Sequence, residues 1–466
     1  MNKQSGTWIK KLKHYVSIAL MFVFMIGATM LNICYDVNDD TEYDVFTVRV
    51  VYFILLTPFV SVPMVLGNFL GLVCFNPFEE TKRPKVNAVT LPRICFRVVT
   101  RGIYKDLVLS NLQRNREICS QSELCNYIFE VVSDVHIPGI DEYCRQIVLP
   151  STYKTKRGTL FKARALNFCL EPGVSMVQDN EWIVHLDEET TLSESSINGI
   201  ITFITEGKAD IGQGPISYAN DEVVNWLTTL SDSIRVAIDY GLFRFQLAVF
   251  HRPYFGFKGS YVVVKQGVEK EVGLDVGPNG SIAEDIYFAL LACNRGFTFD
   301  FVSGEMQEKS PFTCMDFIRQ RRRWFVGQMF TVLSKDIPIK CKIGLMISLA
   351  CNIVMPLSTS IIFINLYYPF PKPLIIHIIM GFIVGMLTFM YLFGSAKSIG
   401  SRPWNFFKYF AVYCLIITIV IPTASCMECV ATVWGLFSLN STQFYVVKKN
   451  IVEFTKSRSR VLEKLV

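Results

Sequence analysis

Three short runs carry residue types at spacings that could do chemistry. The first is Asp187-Glu188-Glu189, which follows directly on Trp182-Ile-Val-His-Leu186. Asp187 and Glu189 stand two apart where a strand would end, so both carboxylates can face one oxygen-lined cation site. Mg²⁺ or Mn²⁺ held by one or two carboxylates completes its shell with substrate phosphates, and a nucleotide diphosphate would suit. An acidic loop after a strand would look the same. The second run is Glu284-Asp285, after the turn Gly277-Pro-Asn-Gly280 and at the start of a helix expected over residues 282–293. Carboxylates there suit a helix dipole; alternatively, Asp285 is a general base that takes a proton from an acceptor hydroxyl. The third is Gln320-Arg-Arg-Arg-Trp324, ahead of an apolar stretch. It reads either as a basic cluster meeting anionic lipid or as Arg forks for a diphosphate, with Trp324 stacked on a sugar ring.

The elements that must position these runs alternate between strand and helix. Strands are expected at 94–100, 127–132, 146–149, 182–186, 211–218 and 260–264, with an edge strand at 297–302. Helices are expected at 158–170 and 221–242. Strands separated by helices predict a mostly parallel α/β sheet, whose ligands bind beyond the carboxyl ends of the strands. Asp134 and Asp187 both fall at such ends.

Composition places that sheet beside a membrane. Hydrophobic residues make up 51% of 466 and charged residues 18%, with a mean hydropathy of +0.34. These values exclude a disordered chain, a collagen and a small disulfide scaffold, and they argue against a fully soluble protein. The apolar excess gathers in five stretches, 15–35, 50–75, 343–368, 374–393 and 409–437. Each approaches or exceeds the roughly 20 residues that cross a bilayer. The expected organisation is a cytosolic basic arm (1–14), two transmembrane helices (15–75), a catalytic domain (76–342), about three transmembrane or re-entrant helices (343–437) and a basic tail (438–466). Lys10, Lys11 and Lys13 precede the first stretch and Asp36, Asp39, Asp40, Glu42 and Asp44 follow it. The positive-inside rule then puts the catalytic domain in the cytosol, with Lys397, Arg402 and Lys408 on a second cytosolic turn. The basic tail also asks for the cytosol, whereas five full crossings put it on the other side. A re-entrant last stretch, interrupted by Pro422 and Glu428, would reconcile the two. The 14 cysteines are scattered and read as small buried residues of a reducing compartment.

Taken in order, a strand-end Asp, an Asp-Glu-Glu run, Glu-Asp, Gln-x-x-Arg-Trp and then membrane, the chain resembles the inverting, membrane-bound family 2 glycosyltransferases. Cellulose, chitin and hyaluronan synthases share that order. Lys162-Ala-Arg-Ala-Leu-Asn167 is similar to a helix of the same superfamily. The runs His185–Thr190, Val224–Leu230, Lys258–Val263, Glu308–Thr313 and Met355–Thr359 resemble the egghead / BRE-3 family of animal β-1,4-mannosyltransferases. The resemblance implies an α/β GT-A (Rossmann-like) catalytic domain inserted between transmembrane α-helices. It implies transfer of mannose from GDP-mannose to glucosylceramide, with a divalent metal (Mg²⁺ or Mn²⁺) at Asp187 and Glu189. Thr100, Arg101, Asp134, Lys162, Asp187, Glu188 and Glu189 would bind the donor. Asp285, with Glu284 beside it, would be catalytic, and Gln320, Arg323 and Trp324 would close the acceptor and diphosphate site. The superfamily often has Thr before Glu-Asp where this chain has Ala283, so a hydroxyl is lost and the base kept. The implied partners are GDP-mannose, a ceramide-linked acceptor sugar and the lipid bilayer, with no nucleic acid; the implied location is a Golgi or endoplasmic reticulum membrane. A processive polysaccharide synthase or a UDP-sugar enzyme would share the motifs, the former with more spans.

Overall fold

The computed structural model describes residues 3–34, 45–81, 91–124, 126–140, 144–219, 223–277, 280, 282–367, 370, 372–400 and 402–439. The acidic loop after the first stretch, the basic tail and Cys125 lie outside them.

The chain opens with α1 (Lys3–Cys34), then α2 (Val45–Leu55), a 3₁₀ turn at Thr57–Ser61 and α3 (Val62–Cys74). The α/β domain follows: β1 (Ile94–Thr100), α4 (Lys105–Gln121), β2 (Tyr127–Ser133), β3 (Cys144–Val148), α5 (Phe161–Phe168), β4 (Trp182–Asp187) and α6 (Glu194–Glu206). Next come β5 (Ile211–Gln213), β6 (Ile216–Ser217), α7 (Trp226–Ile238), a π turn at Asp239–Phe243 and α8 (Arg244–Val249). The domain closes with β7 (Val262–Lys265), α9 (Gln266–Val272), α10 (Glu284–Asn294), β8 (Phe299–Phe301) and β9 (Met306–Gln307). Then α11 (Cys314–Leu333) leads to α12 (Ile339–Tyr367), α13 (Leu374–Ile399), α14 (Phe406–Leu415), a π turn at Ile416–Val420 and α15 (Ile421–Phe437).

Seven strands form one sheet in the order β3-β2-β1-β4-β7-β5-β8. β1, β2, β3 and β4 run parallel, as do β5 and β8. β7 is antiparallel to both neighbours, because the chain reaches it after the helical excursion through α7 and α8. The sheet is mostly parallel as expected, with β7 alone reversed. The expected strand 211–218 is split at Gly214-Pro215, where proline has no N–H to give a ladder. Its second half, β6, pairs with β9 in a separate sheet. β8 is an edge strand, as its alternation suggested. The sheet encloses a charge cluster: Arg97 is bonded to Glu130 at 2.9 Å and to Glu269 at 3.2 Å, and His185 lies 3.2 Å from Glu269.

Among the described residues, five helical segments are long and apolar enough to cross a membrane: Thr7–Cys34, Arg49–Cys74, Ile339–Asn365, Leu374–Ile399 and Phe406–Phe437. The last is one continuous helical run with no reversal inside it. Pro422 follows a π turn, whose wider backbone absorbs the proline without a break. Glu428 is paired with Arg321 at 2.6 Å. Neither residue interrupts the stretch in the way the sequence suggested.

The α/β domain is locked to these helices at glycines. A Cβ on Gly71 would lie 2.0 Å from the Gly241 carbonyl oxygen, so α3 lies directly on the first π turn. Asn68 on the same face accepts from the Leu242 N–H at 3.1 Å. A Cβ on Gly394 would lie 1.8 Å from the Ser233 carbonyl oxygen, which sets α13 against α7. Lys397 pairs with Glu305, and Arg402 donates to the Ala219 carbonyl at 2.7 Å. The basic turn after α13 thus meets the α/β domain itself. Gly71→Ala should lower stability by about 1–3 kcal/mol through overpacking, read as a lower Tm of the detergent-solubilised protein. Gly27→Ala, whose Cβ meets nothing within 4 Å, should leave Tm unchanged or slightly raised.

Candidate active site

β4 lies inside the sheet, and its apolar run Trp182–Leu186 is buried, so its polar end emerges at a fixed point of the sheet edge. Side chains then alternate. Asp187 and Glu189 are half-buried and Glu188 is buried. Glu188 turns inward and accepts the Thr100 hydroxyl, whose oxygen in turn accepts the Gly102 N–H at 2.9 Å. Asn111 of α4 donates to the Glu188 carbonyl at 2.8 Å. Thr100 and Glu188 therefore brace the strand ends from within. The turn after β4 is fixed by the Thr190 hydroxyl, which accepts from the Asp187 N–H at 3.1 Å and donates to Glu308 at 2.8 Å.

Helix α5 brings a cation to this edge. Lys162 donates to Asp187 Oδ1 at 2.6 Å and to the Gly259 carbonyl at 2.9 Å. Burial alone would lower its pKa, but Asp187, Glu284 and Asp285 outweigh that and hold it above the ordinary lysine value. The preceding residue, Phe161, has φ +54°, a left-handed conformation that costs a non-glycine residue about 1–3 kcal/mol. The cost is borne where Leu160 N–H donates to the Gly280 carbonyl at 3.0 Å, tying the start of α5 to the turn before α10. Two residues beyond Lys162, Arg164 pairs with Asp134 at 2.9 Å. Asp134 thus stands at the β2 end beside the same helix, and Arg101 lies exposed just past β1.

Glu284 and Asp285 open α10. Gly259 has no Cβ, and one there would lie 3.2 Å from Lys162 Nζ and 3.3 Å from Asp285 Oδ2. The absent methyl is what lets the ammonium and this carboxylate stand close together. Burial, reinforced by the charge of Asp285, pushes the Glu284 carboxyl up to about 7. Burial likewise raises Asp285 against the opposing pull of the Ile286 N–H, Lys162 and Arg323. A carboxylate raised in this way is a stronger proton acceptor near neutral pH.

Helix α11 covers the other side. Gln320, Arg323, Trp324 and Gly327 share one face at i, i+3, i+4 and i+7. A Cβ on Gly327 would lie 2.6 Å from that of Ala283, so the small residue before Glu284 packs under α11. The Arg323 charge acts on both Glu284 and Asp285. Gln320 accepts from Arg321 at 3.1 Å, and the guanidinium carbons of Arg321 and Arg235 lie 4.3 and 4.7 Å from the Trp324 ring centre. Sequence reasoning missed Arg235, Asp232, the Gly259 carbonyl and the brace at Thr190. Gly259, Thr190 and Glu308 all lie in runs already conspicuous in the sequence.

No group of three or more His, Cys, Asp or Glu is assembled for a metal among the described residues. Asp187 and Glu189, both half-buried at the end of β4, carry hard oxygen donors. That fits a cation whose remaining ligands are substrate phosphates rather than a protein cage.

A mixed α/β sheet ending in carboxylates, with a raised Asp at a helix start and an Arg/Trp helix leading into apolar spans, is the layout of a glycosyltransferase of the GT-A type. The chain belongs to glycosyl transferase family group 2, whose family model matches residues 182–437. It is 45% identical over 414 residues to Beta-1,4-mannosyltransferase egh of Drosophila melanogaster, covering 88% of this chain and 90% of that one. It is 43% identical over 402 residues to Beta-1,4-mannosyltransferase bre-3 of Caenorhabditis elegans, covering 86% and 88%. Among solved structures, TarS of S. aureus superposes loosely, with a TM-score of 0.29 at 14% identity over 60% of this chain and 44% of that chain.

A base must be unprotonated to act, so transfer should fall as pH drops through the raised carboxyl values. The acid limb is expected above the ordinary carboxylate range, because burial raises the Asp285 carboxyl. Lys162→Met removes a charge that pulls both carboxyls down and should move the limb to higher pH, as a pH–rate profile would show.

Proposed function

We propose that this protein is an inverting β-1,4-mannosyltransferase that moves mannose from GDP-mannose to glucosylceramide at a membrane surface. The observation that carries the reading is the meeting of Lys162, Asp187 and Asp285 around Gly259, with Arg323 of α11 acting on the same carboxylates. The mannosyl choice is supported by relatives named β-1,4-mannosyltransferases.

In this reading Asp187 and Glu189 hold a divalent cation (Mg²⁺ or Mn²⁺), which supplies positive charge against the donor diphosphate. Arg101 and Asp134 line the nucleotide side, supported from within by Thr100 and Glu188. Asp285 takes the proton from the acceptor hydroxyl, which attacks the anomeric carbon from the face opposite the leaving diphosphate. One displacement converts an α-linked donor into a β-linked product. Glu284, half-protonated near neutral pH, keeps a second full charge away from the base. Lys162 fixes the donor-side and acceptor-side carboxylates relative to each other, and Arg323 faces the departing diphosphate. Gln320 and Trp324 meet the acceptor sugar. A ceramide-linked sugar does not leave the bilayer readily, and α11 runs into α12 within a few residues, so the site stands where such an acceptor stays. The organelle in this reading is the Golgi or endoplasmic reticulum, with the α/β domain on the cytosolic side.

The test is transfer by membranes containing the protein, offered radiolabelled GDP-mannose or UDP-sugars with short-chain glucosylceramide. Labelled lipid should form from GDP-mannose; labelling from a UDP-sugar alone sinks the mannosyl reading. Asp285→Asn should bind GDP-mannose as before and lose transfer by at least a hundredfold, the lower range for general-base catalysis of about 10²–10⁴. Chelation with EDTA should abolish transfer, and Mg²⁺ or Mn²⁺ should restore it; full activity in EDTA removes the cation from the reading.

A further inference from the structure

Glu428 is the one acidic residue of the five apolar helical segments. A carboxylate in such a place is costly unless it has a partner and a use. Its partner is Arg321, which lies next to the Gln320–Arg323–Trp324 face of α11. The Arg321 guanidinium is buried and engages three groups at once. Nε donates to Glu428 of α15 at 2.6 Å, Nη2 donates to Asp232 of α7, and Nη1 donates to Gln320 at 3.1 Å. The same guanidinium carbon lies 4.2 Å from the Phe317 ring centre and 4.3 Å from that of Trp324. Asp232 is fully buried, and its Oδ1 also faces Arg235 Nη1 at 3.6 Å. Arg235 is the second cation resting against Trp324. Asp232 therefore anchors both cations that touch the tryptophan, and Glu428 holds one of them from within the membrane helices.

We propose that Glu428 and Asp232 are positioning residues for the acceptor-facing side of the site, acting through Arg321 on Gln320 and Trp324. The inference rests on the reading of that face as the acceptor site. A largely buried ion cluster is weak evidence of stability, so fixed geometry is the role inferred for it here. Arg321 is a planar fork whose separate edges reach two carboxylates and an amide, which a single ammonium cannot do. The cluster joins α7, α11 and α15, so the position of the fifth apolar helix sets the position of the tryptophan.

The test uses the full-length protein in membranes, with GDP-mannose and short-chain glucosylceramide. Glu428→Gln should raise the acceptor KM tenfold or more. Donor KM and donor hydrolysis without acceptor should stay within twofold, and Tm should hold. Glu428→Asp, which keeps the charge but withdraws it by one methylene, should give an intermediate rise. Arg321→Lys should behave like Glu428→Gln, and the double variant should be no worse than Arg321→Lys alone. A wild-type acceptor KM in Glu428→Gln overturns the proposal, as does a parallel rise in donor KM or additive effects in the double variant. Trp324→Ala separates the two levels. If it leaves acceptor KM unchanged, the acceptor-site reading itself fails. If it raises acceptor KM while Glu428→Gln does not, only the positioning role falls. No transfer by the unaltered protein sinks both.

Discussion

The Lys162 ammonium, bonded at 2.6 Å to Asp187 and at 2.9 Å to the Gly259 carbonyl, also acts on Glu284 and Asp285. Three carboxylates brought this close would repel one another and take up protons. One cation among them lets the end of β4 and the start of α10 meet, although about a hundred residues separate them in sequence. The local structure is arranged to permit that meeting: a left-handed Phe161 starts α5, and a glycine stands where any side chain would crowd the ammonium. The strain at Phe161 is offset by the Lys162 pairing and by the Leu160–Gly280 hydrogen bond on either side of it.

The same glycine connects the site to the membrane helices. Lys258, its neighbour, pairs with Asp239 at 2.6 Å, and Asp239 opens the π turn on which Gly71 of α3 rests. From the apolar helix to the Lys162 ammonium the contacts are therefore continuous. The α/β domain is not a module set beside a membrane anchor. The backbone beside the candidate site is held at one end by an apolar helix long enough to cross a membrane and at the other by the sheet.

Much of this was legible in the sequence. The β1 limits were read as they stand, because a β-branched run bounded by polar residues has few alternatives. The five apolar stretches, the strand-end carboxylates and the Glu-Asp helix start also stand where they were placed. What could not be read depended on partners far apart in the chain. No local pattern pairs Arg97, Glu130, His185 and Glu269, yet they meet inside the sheet. Glu428 looked like an interruption of an apolar stretch because Arg321 lies 107 residues away. The mutual hydrogen bond of Thr100 and Glu188, 88 residues apart, was not legible in their separate runs either. The reversed direction of β7 follows from the route of the chain through α7 and α8, which no local periodicity records.

The π turn between α7 and α8 also has a consequence for helix phase. A π turn carries an extra residue relative to α-helix, and one residue is about 100° of rotation. Without it, α7 and α8 would be a single rod presenting one continuous stripe. With it, α7 faces α13 while the segment beyond faces α3 and β8. The extra residue works as a phase shifter, allowing one length of chain to answer to two long apolar helices and a sheet edge at once. Removing it would leave every side chain in place along the sequence and point half of them at the wrong neighbour.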